Sequence, residues 1–356
     1  MKISFSKITN AFYKSAFILL GVYALSSSCK KSDNKTTASS TNYTQVNLVA
    51  DQGGSAGARI DATLINPWGI AVGPTGTFWI SANGSGSTVV YDTYGAQSKA
   101  PITIPLGSPS GVVYNSTNGF KIPTLGKSSF IYATESGTIA AWNSTTGTTA
   151  VTVADRSGSG AVYKGLALAS NGTANYIFAT DFYNAKVDVY DTTFTLVTGP
   201  TFHDPNMPAG FAPFNIQVIN NQLYVTYAKQ KANKMDDTSG AGNGYIDVYN
   251  TAGDLVKRFA SQGTLNSPWG ITLAPTSFGT VDGTILVGNF GDGTINMFDA
   301  TGTYLGQLKN NGNVISIQGL WALSLNTATS SDASLLYFTA GPGQEKHGLF
   351  GYLKKN

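Results

Sequence analysis

Side chains bearing hard oxygen donors recur at one kind of place in this 356-residue sequence. Asn83, Glu135, Asp181 and Asn289 each close a short apolar or aromatic run: Phe78-Trp79-Ile80-Ser81-Ala82, Ile131-Tyr132-Ala133-Thr134, Ile177-Phe178-Ala179-Thr180 and Ile285-Leu286-Val287-Gly288. Two carboxylates and two amides make a donor set suited to Ca2+ or Mg2+. Tyr227 and Gly341 stand at the equivalent place in two further runs. The same side chains have a purely structural use, accepting backbone N–H groups in the turn that follows each run.

Other chemistry is sparse. His203 and His347 are the only histidines, too few for a His-rich zinc or copper site. His203 sits in Phe202-His203-Asp204-Pro205 and is expected in a connecting loop. His347, beside Glu345 and Lys346, is expected to be solvated. No nucleophile–base pair is visible among these residues. Gly84-Ser85-Gly86 and Gly291-Asp292-Gly293 lack the strand–helix setting of a phosphate loop and read as hairpin turns.

For the oxygen donors to meet, the chain must bring the ends of its runs into a ring, and its repeat implies that it does. A unit of about 50 residues recurs, opening on a Gly-centred phrase and continuing into two strands. The openings are Asn66-Pro67-Trp68-Gly69, Pro109-Ser110-Gly111, Lys164-Gly165-Leu166, Pro213-Phe214-Asn215, Pro268-Trp269-Gly270 and Gly319-Leu320-Trp321-Ala322. Units of three or four short strands with turns between them predict an all-β propeller of six blades, each a small sheet stacked on its neighbours. The early strand Gln45-Val46-Asn47-Leu48-Val49 is expected to join the last blade and fasten the ring. Trp68, Trp269, Trp321 and Phe214 recur by blade, either as a packing layer or as a face that stacks on sugars or other flat ligands. The polar, Gly-rich insertion 229–244 interrupts the repeat and is expected to project as a solvated loop.

Ahead of the repeat lies a leader. Lys2, Lys7 and Lys14 precede the apolar stretch 16–25, too short to span a bilayer, and then Ser26-Ser27-Ser28-Cys29. This resembles a bacterial lipobox, and Cys29 is the only cysteine of the chain. The expected organisation is a signal peptide over 1–28, a lipidated Cys29 with a polar spacer over 29–43, and the propeller over 44–356. The resemblance implies export and attachment to a membrane through lipid (palmitate) on Cys29, at the outer membrane of a Gram-negative bacterium. A chain that ends at Asn356 with no C-terminal anchor agrees with anchoring at Cys29.

The formal charge of +3 misleads about partners. Six lysines against Asp33 put +5 in the first 43 residues, leaving the body near −2, and nucleic acid is not an expected partner. Charged residues make up only 12% of the chain while Gly (41), Tyr (18) and Phe (18) abound, as suits a β-protein with many tight turns.

The unit pattern resembles NHL-type propeller repeats. More closely, Asn47-Leu48-Val49-Ala50-Asp51, Asn66-Pro67-Trp68-Gly69, Ala209-Gly210-Phe211-Ala212-Pro213-Phe214-Asn215, Gly288-Asn289-Phe290-Gly291-Asp292-Gly293, Gly319-Leu320-Trp321-Ala322-Leu323 and Phe338-Thr339-Ala340-Gly341 resemble an uncharacterised bacterial family of exported six-bladed propellers. That resemblance implies fold and location but no activity. Lactonase-like six-bladed propellers hold a divalent metal with a similar acid-and-amide set. Two functions are therefore carried forward: a binding or scaffold module for a small molecule, glycan or protein, and a metal-dependent hydrolase or lactonase working from the ring.

Overall fold

The computed structural model describes residues 41–55, 57–274, 276–326 and 332–356. Cys29 and the leader lie outside these residues. Six sheets of four or five strands follow one another along the chain and form a six-bladed propeller. The inner strands are Pro67–Val72, Pro109–Tyr114, Tyr163–Ser170, Phe211–Ile219, Pro268–Leu273 and Leu320–Leu325. Each pairs antiparallel with the second strand of its blade, which ends at or near Asn83, Glu135, Asp181, Tyr227, Asn289 or Gly341.

The second and third strands explain why the apolar runs are continuous rather than alternating. Phe78–Ala82 and Ser87–Tyr91 are buried at every position, because both faces of a blade are covered by neighbours. Successive residues point to opposite faces. Phe78 and Ile80 pack with Tyr337 and Phe350 of blade six, whereas Trp79 between them packs with Phe130 and Trp142 of blade two. The outermost strand of blade one, Gln97–Thr103, is mostly exposed. The described core divides into six clusters, one in each seam between blades, and a seventh on the axis.

Ring closure follows the sequence expectation. The strand Tyr43–Ala50 pairs antiparallel with Leu349–Lys355 and becomes the outer part of blade six, from Tyr43 opposite Lys355 to Ala50 opposite Leu349. Closeness of the inner strands accounts for the repeated glycines. A Cβ on Gly69 would lie 2.6 Å from the Ser110 carbonyl oxygen, and one on Gly270 the same distance from that of Trp321. A Cβ on Gly111 would lie 2.4 Å from the Leu166 backbone nitrogen, and one on Gly165 2.3 Å from the Asn215 side-chain oxygen. Only a residue without a side chain lets neighbouring inner strands approach so far.

Candidate functional site

The residue at the bulge near the start of each inner strand decides what fills the axis. Around the ring these residues are Trp68, Ser110, Lys164, Phe214, Trp269 and Trp321. All six inner strands shift register against their partners here, and such bulges re-aim a side chain. Four aromatic residues therefore converge into a plug. Trp68 stacks on Trp321 with ring centres 3.8 Å apart, Phe290 stacks on Trp321 at 4.0 Å, and Trp269 meets both tryptophans edge-on. Trp68, Phe214, Trp269 and Trp321 are at most 3% exposed, so the recurrent aromatic set packs the ring and presents no stacking face, while Phe290 is only partly buried. Two indole N–H groups are anchored: Trp269 donates to the Lys164 carbonyl (3.2 Å) and Trp321 to the Asn66 side-chain oxygen (3.0 Å).

Blades two and three break the aromatic set. The Ser110 hydroxyl is spent on the seam, donating toward the Tyr163 carbonyl at 2.7 Å. Lys164 lays its stem in the plug and its ammonium, 1% exposed, 5.0 Å from the centre of the Trp68 ring and 5.9 Å from that of Phe182. Glu135 forms an ion pair with it, and Asp236 forms another at 3.1 Å. Burial alone would push the Lys164 ammonium down; the two carboxylates outweigh it and hold the group above its usual range. Asn83 donates to the other Glu135 oxygen at 2.8 Å, and Asn66 donates to Glu345 at 2.9 Å. Burial raises the Glu345 carboxyl above its ordinary range.

The expected metal ring separates into parts. Asn83 and Glu135 meet, but the cation that they face is Lys164. Asp181 accepts from the backbone N–H groups of Val162 and Asn184 and from the Asn184 amide (2.7 Å), all within its own corner. The Asn289 side-chain oxygen takes the Asn266 N–H, while its amide donates to the Thr264 carbonyl and Asp292. Tyr227 pairs its hydroxyl with that of Tyr249 in a seam between blades. Among the described residues no group of three or more His, Cys, Asp or Glu side chains is placed to hold a metal.

Two loop expectations are corrected. The insertion 229–244 exposes 231–235, as expected, but turns Asp236 and Asp237 back toward Lys164 instead of projecting throughout. Gln230 donates to the Phe182 carbonyl (2.6 Å), Gly240 N–H to the Asn266 side chain (2.7 Å), and Asp237 is only 7% exposed. An ion pair across 72 positions, Lys164 to Asp236, draws it in, and local composition carries no sign of that. His347 is not merely solvated: its Nδ1 lies 2.9 Å from an Asp51 carboxylate oxygen and its Nε2 3.2 Å from the Gln52 amide. His203 is exposed in its loop, as expected.

The opposite mouth is open. Below the plug a narrow bore of about 40 Å³ runs between the inner strands, lined by Gly69, Gly111, Asn215 and Gly270 among others. It gives onto two adjoining hollows of about 310 and 290 Å³. Val72, Val113, Leu168, Val218 and Leu325, with Tyr114, supply apolar walls; Ser116 and Ser324 add hydroxyls. Gln217 borders the bore and both hollows, is exposed to them, and no hydrogen bond among the described residues holds its amide. Among the described residues, no Asp, Glu, Lys, Arg, His or Cys lines these three spaces.

Solved structures share the fold. Virginiamycin B lyase from Staphylococcus aureus superposes with a TM-score of 0.53 at 13% identity, covering 88% of this chain and 99% of that one. A streptogramin B lyase does so with 0.52 at 13%, covering 89% and 98%. No family model matches the sequence. Among curated proteins, uncharacterized protein R648 of Acanthamoeba polyphaga mimivirus is 34% identical over 330 residues, which span 88% of this chain and 80% of that protein. Uncharacterized protein L690 of the same virus is 33% identical over 329 residues, spanning 88% and 86%. These relatives overturn the expected membership of a bacterial family. Phrases such as Asn66-Pro67-Trp68-Gly69 answer to bulge and inter-strand approach, so they carry the propeller and not the lineage of its bearer. By similarity along most of its length, the chain belongs to the family of mimivirus proteins R648 and L690.

Proposed function

We propose that the protein is a binding propeller that seats a small uncharged molecule in the open mouth of its axis. The observation that carries this is the pair of adjoining hollows, walled by aliphatic side chains together with strand backbone, with Gln217 as an unengaged polar arm at their junction. Binding sites are typically such concavities, mostly apolar with a few placed polar groups. A ligand without charge suits a lining that offers amide, hydroxyl and strand backbone groups but no ionic partner. A metal-dependent hydrolase has less support, because Glu135 already has an ammonium as its counter-ion and Asp181 and Asn289 are committed to their turns. The leader and Cys29 favour display of this propeller on a membrane through lipid, and a Cys29→Ala chain that still sediments with membranes would remove that part.

A neutral, environment-sensitive dye such as Nile red serves as the probe for the cup. The full chain is expected to bind it saturably, and Val218→Trp, which fills the cup, to weaken binding by about tenfold or more with an unchanged circular dichroism spectrum. Equal binding by the filled variant would end the proposal.

A further inference from the structure

Four blades place a Trp or Phe at the bulge of the inner strand, and blade three places Lys164 there. The molecule thus contains its own apolar alternative for this site. A buried ion pair is rarely better for stability than well-packed apolar side chains of similar volume. Lysine at this position needs both Glu135 and Asp236 to be tolerated, and the second of these comes from an insertion that the other blades lack. Packing thus gives no reason for the departure. What Lys164 adds is a preformed cation with an aromatic floor, and one of the two carboxylate side chains that pair with it is half exposed.

Asp236 is that side chain. Its carboxylate is 50% exposed while the ammonium beneath is 1% exposed. The segment bearing it is polar and held chiefly by hydrogen bonds such as Lys231 N–H to the Asp236 carbonyl (2.8 Å) and Thr238 N–H to the Lys229 carbonyl (2.7 Å). Elements with few buried apolar contacts open at low free energy. Exposed apolar residues stand beside the residues of the site along the chain or through a backbone contact. Tyr183 (37% exposed) follows Phe182, and Met235 (41%) precedes Asp236. Leu106 (65%) takes the Ser136 hydroxyl on its carbonyl, next to Glu135.

We propose that Lys164 is an anion-binding residue for a small carboxylate with an apolar body, and that Asp236 occupies the carboxylate's place until such a ligand displaces it. Exchange of one carboxylate for another leaves the charge around the ammonium unchanged, so no new unpaired charge is buried. The apolar body would rest against Tyr183, Met235 and Leu106. This site is separate from the open cup, and neither depends on the other.

Benzoate, with benzamide as its uncharged isostere, tests the proposal by calorimetric titration of the full chain. An intramolecular carboxylate competes at an effective concentration in the millimolar range or above. Asp236→Ala is therefore expected to bind benzoate about tenfold or more tightly than wild type, with benzamide binding to neither. Benzoate is also expected to speed hydrogen exchange across residues 229–244 of the wild-type chain, and Lys164→Met to abolish benzoate binding. Equal benzoate affinity in wild type and Asp236→Ala, absence of binding by Asp236→Ala, or equal binding of benzamide would each overturn it. Should Lys164→Met fail to fold, the Asp236→Ala and benzamide comparisons decide alone.

Discussion

The two mouths of the axis are made from the same six strands and end up opposite in character. At the start of the inner strands, a bulge aims Trp68, Phe214, Trp269 and Trp321 inward, and their rings are long enough to meet. At the far end stand Val72, Val113, Leu168, Val218 and Leu325, whose short side chains line the walls without reaching one another. Side-chain length and local backbone geometry, with no change of topology, convert one end into a plug and the other into a cup. The plug end also gathers the charge: Lys164, Glu135, Asp236 and Glu345 lie there, and none of them borders the cup.

The comparison breaks if the two ends respond alike to truncation. Trp321→Ala removes the middle of the Trp68–Trp321–Phe290 stack and is expected to cost about 3–5 kcal/mol in urea unfolding. Val218→Ala at the half-open cup is expected to cost less than about 1 kcal/mol. Equal losses would mean that the plug is not what holds the inner strands together.

A second contrast lies within the charged mouth. Glu135→Gln leaves the 1% exposed ammonium with one carboxylate and is expected to destabilise by about 3 kcal/mol. Lys164→Met leaves Glu135 and Asp236, 24% and 50% exposed, to water, and is expected to change stability by no more than about 1 kcal/mol. A larger loss from Lys164→Met than from Glu135→Gln would show that the lysine is there for stability after all.

The smallest effect concerns pH. Burial raises the Asp237 carboxyl above its ordinary value of 3.8. The native state then holds this proton more tightly than the unfolded state, so stability falls as pH rises from the ordinary value through the raised one. Asp237→Asn removes this titration. Its stability relative to wild type should increase over that window and level off above it, as followed by thermal unfolding at a series of pH values. A margin that shrinks with rising pH would reverse the sign assigned to the group.

Much of the fold was legible because the propeller stamps its constraints locally. Each unit needs a small residue where inner strands touch, so Gly69, Gly111, Gly165 and Gly270 mark the period. Each needs apolar side chains on both faces of its middle strands, which gives runs such as Phe78–Ala82. The closing strand was visible as an unassigned apolar segment ahead of the first unit. The candidate site was legible only in pieces. Lys164 stands in the sequence directly before Gly165, as Trp68 stands before Gly69, yet its meaning depends on a bulge that turns this position toward the axis. Its second partner lies in an insertion whose polarity suggested solvent, and only a long-range ion pair reverses that. Asn83, Glu135, Asp181 and Asn289 share a sequence position but not an environment. The deciding neighbours (Lys164 for one, Asn184 and Asp292 for others) come from different elements, an inner strand and two separate turns.

The pairing that closes blade six also orders events in time. Thr44 meets Asn356 across 312 positions, so the sheet holding the first strand cannot be completed until the last strand exists. Blades one to five bring together strands that are neighbours along the chain and can form as hairpins, whereas this contact must await a large loop closure. Until then the seam faces of blades one and six, with Phe78, Tyr337 and Phe350, stay uncovered and prone to association. Folding of the ring should therefore end in a slow docking step, whose rate falls when Tyr43–Ala50 is weakened while the other five blades form at their usual speed.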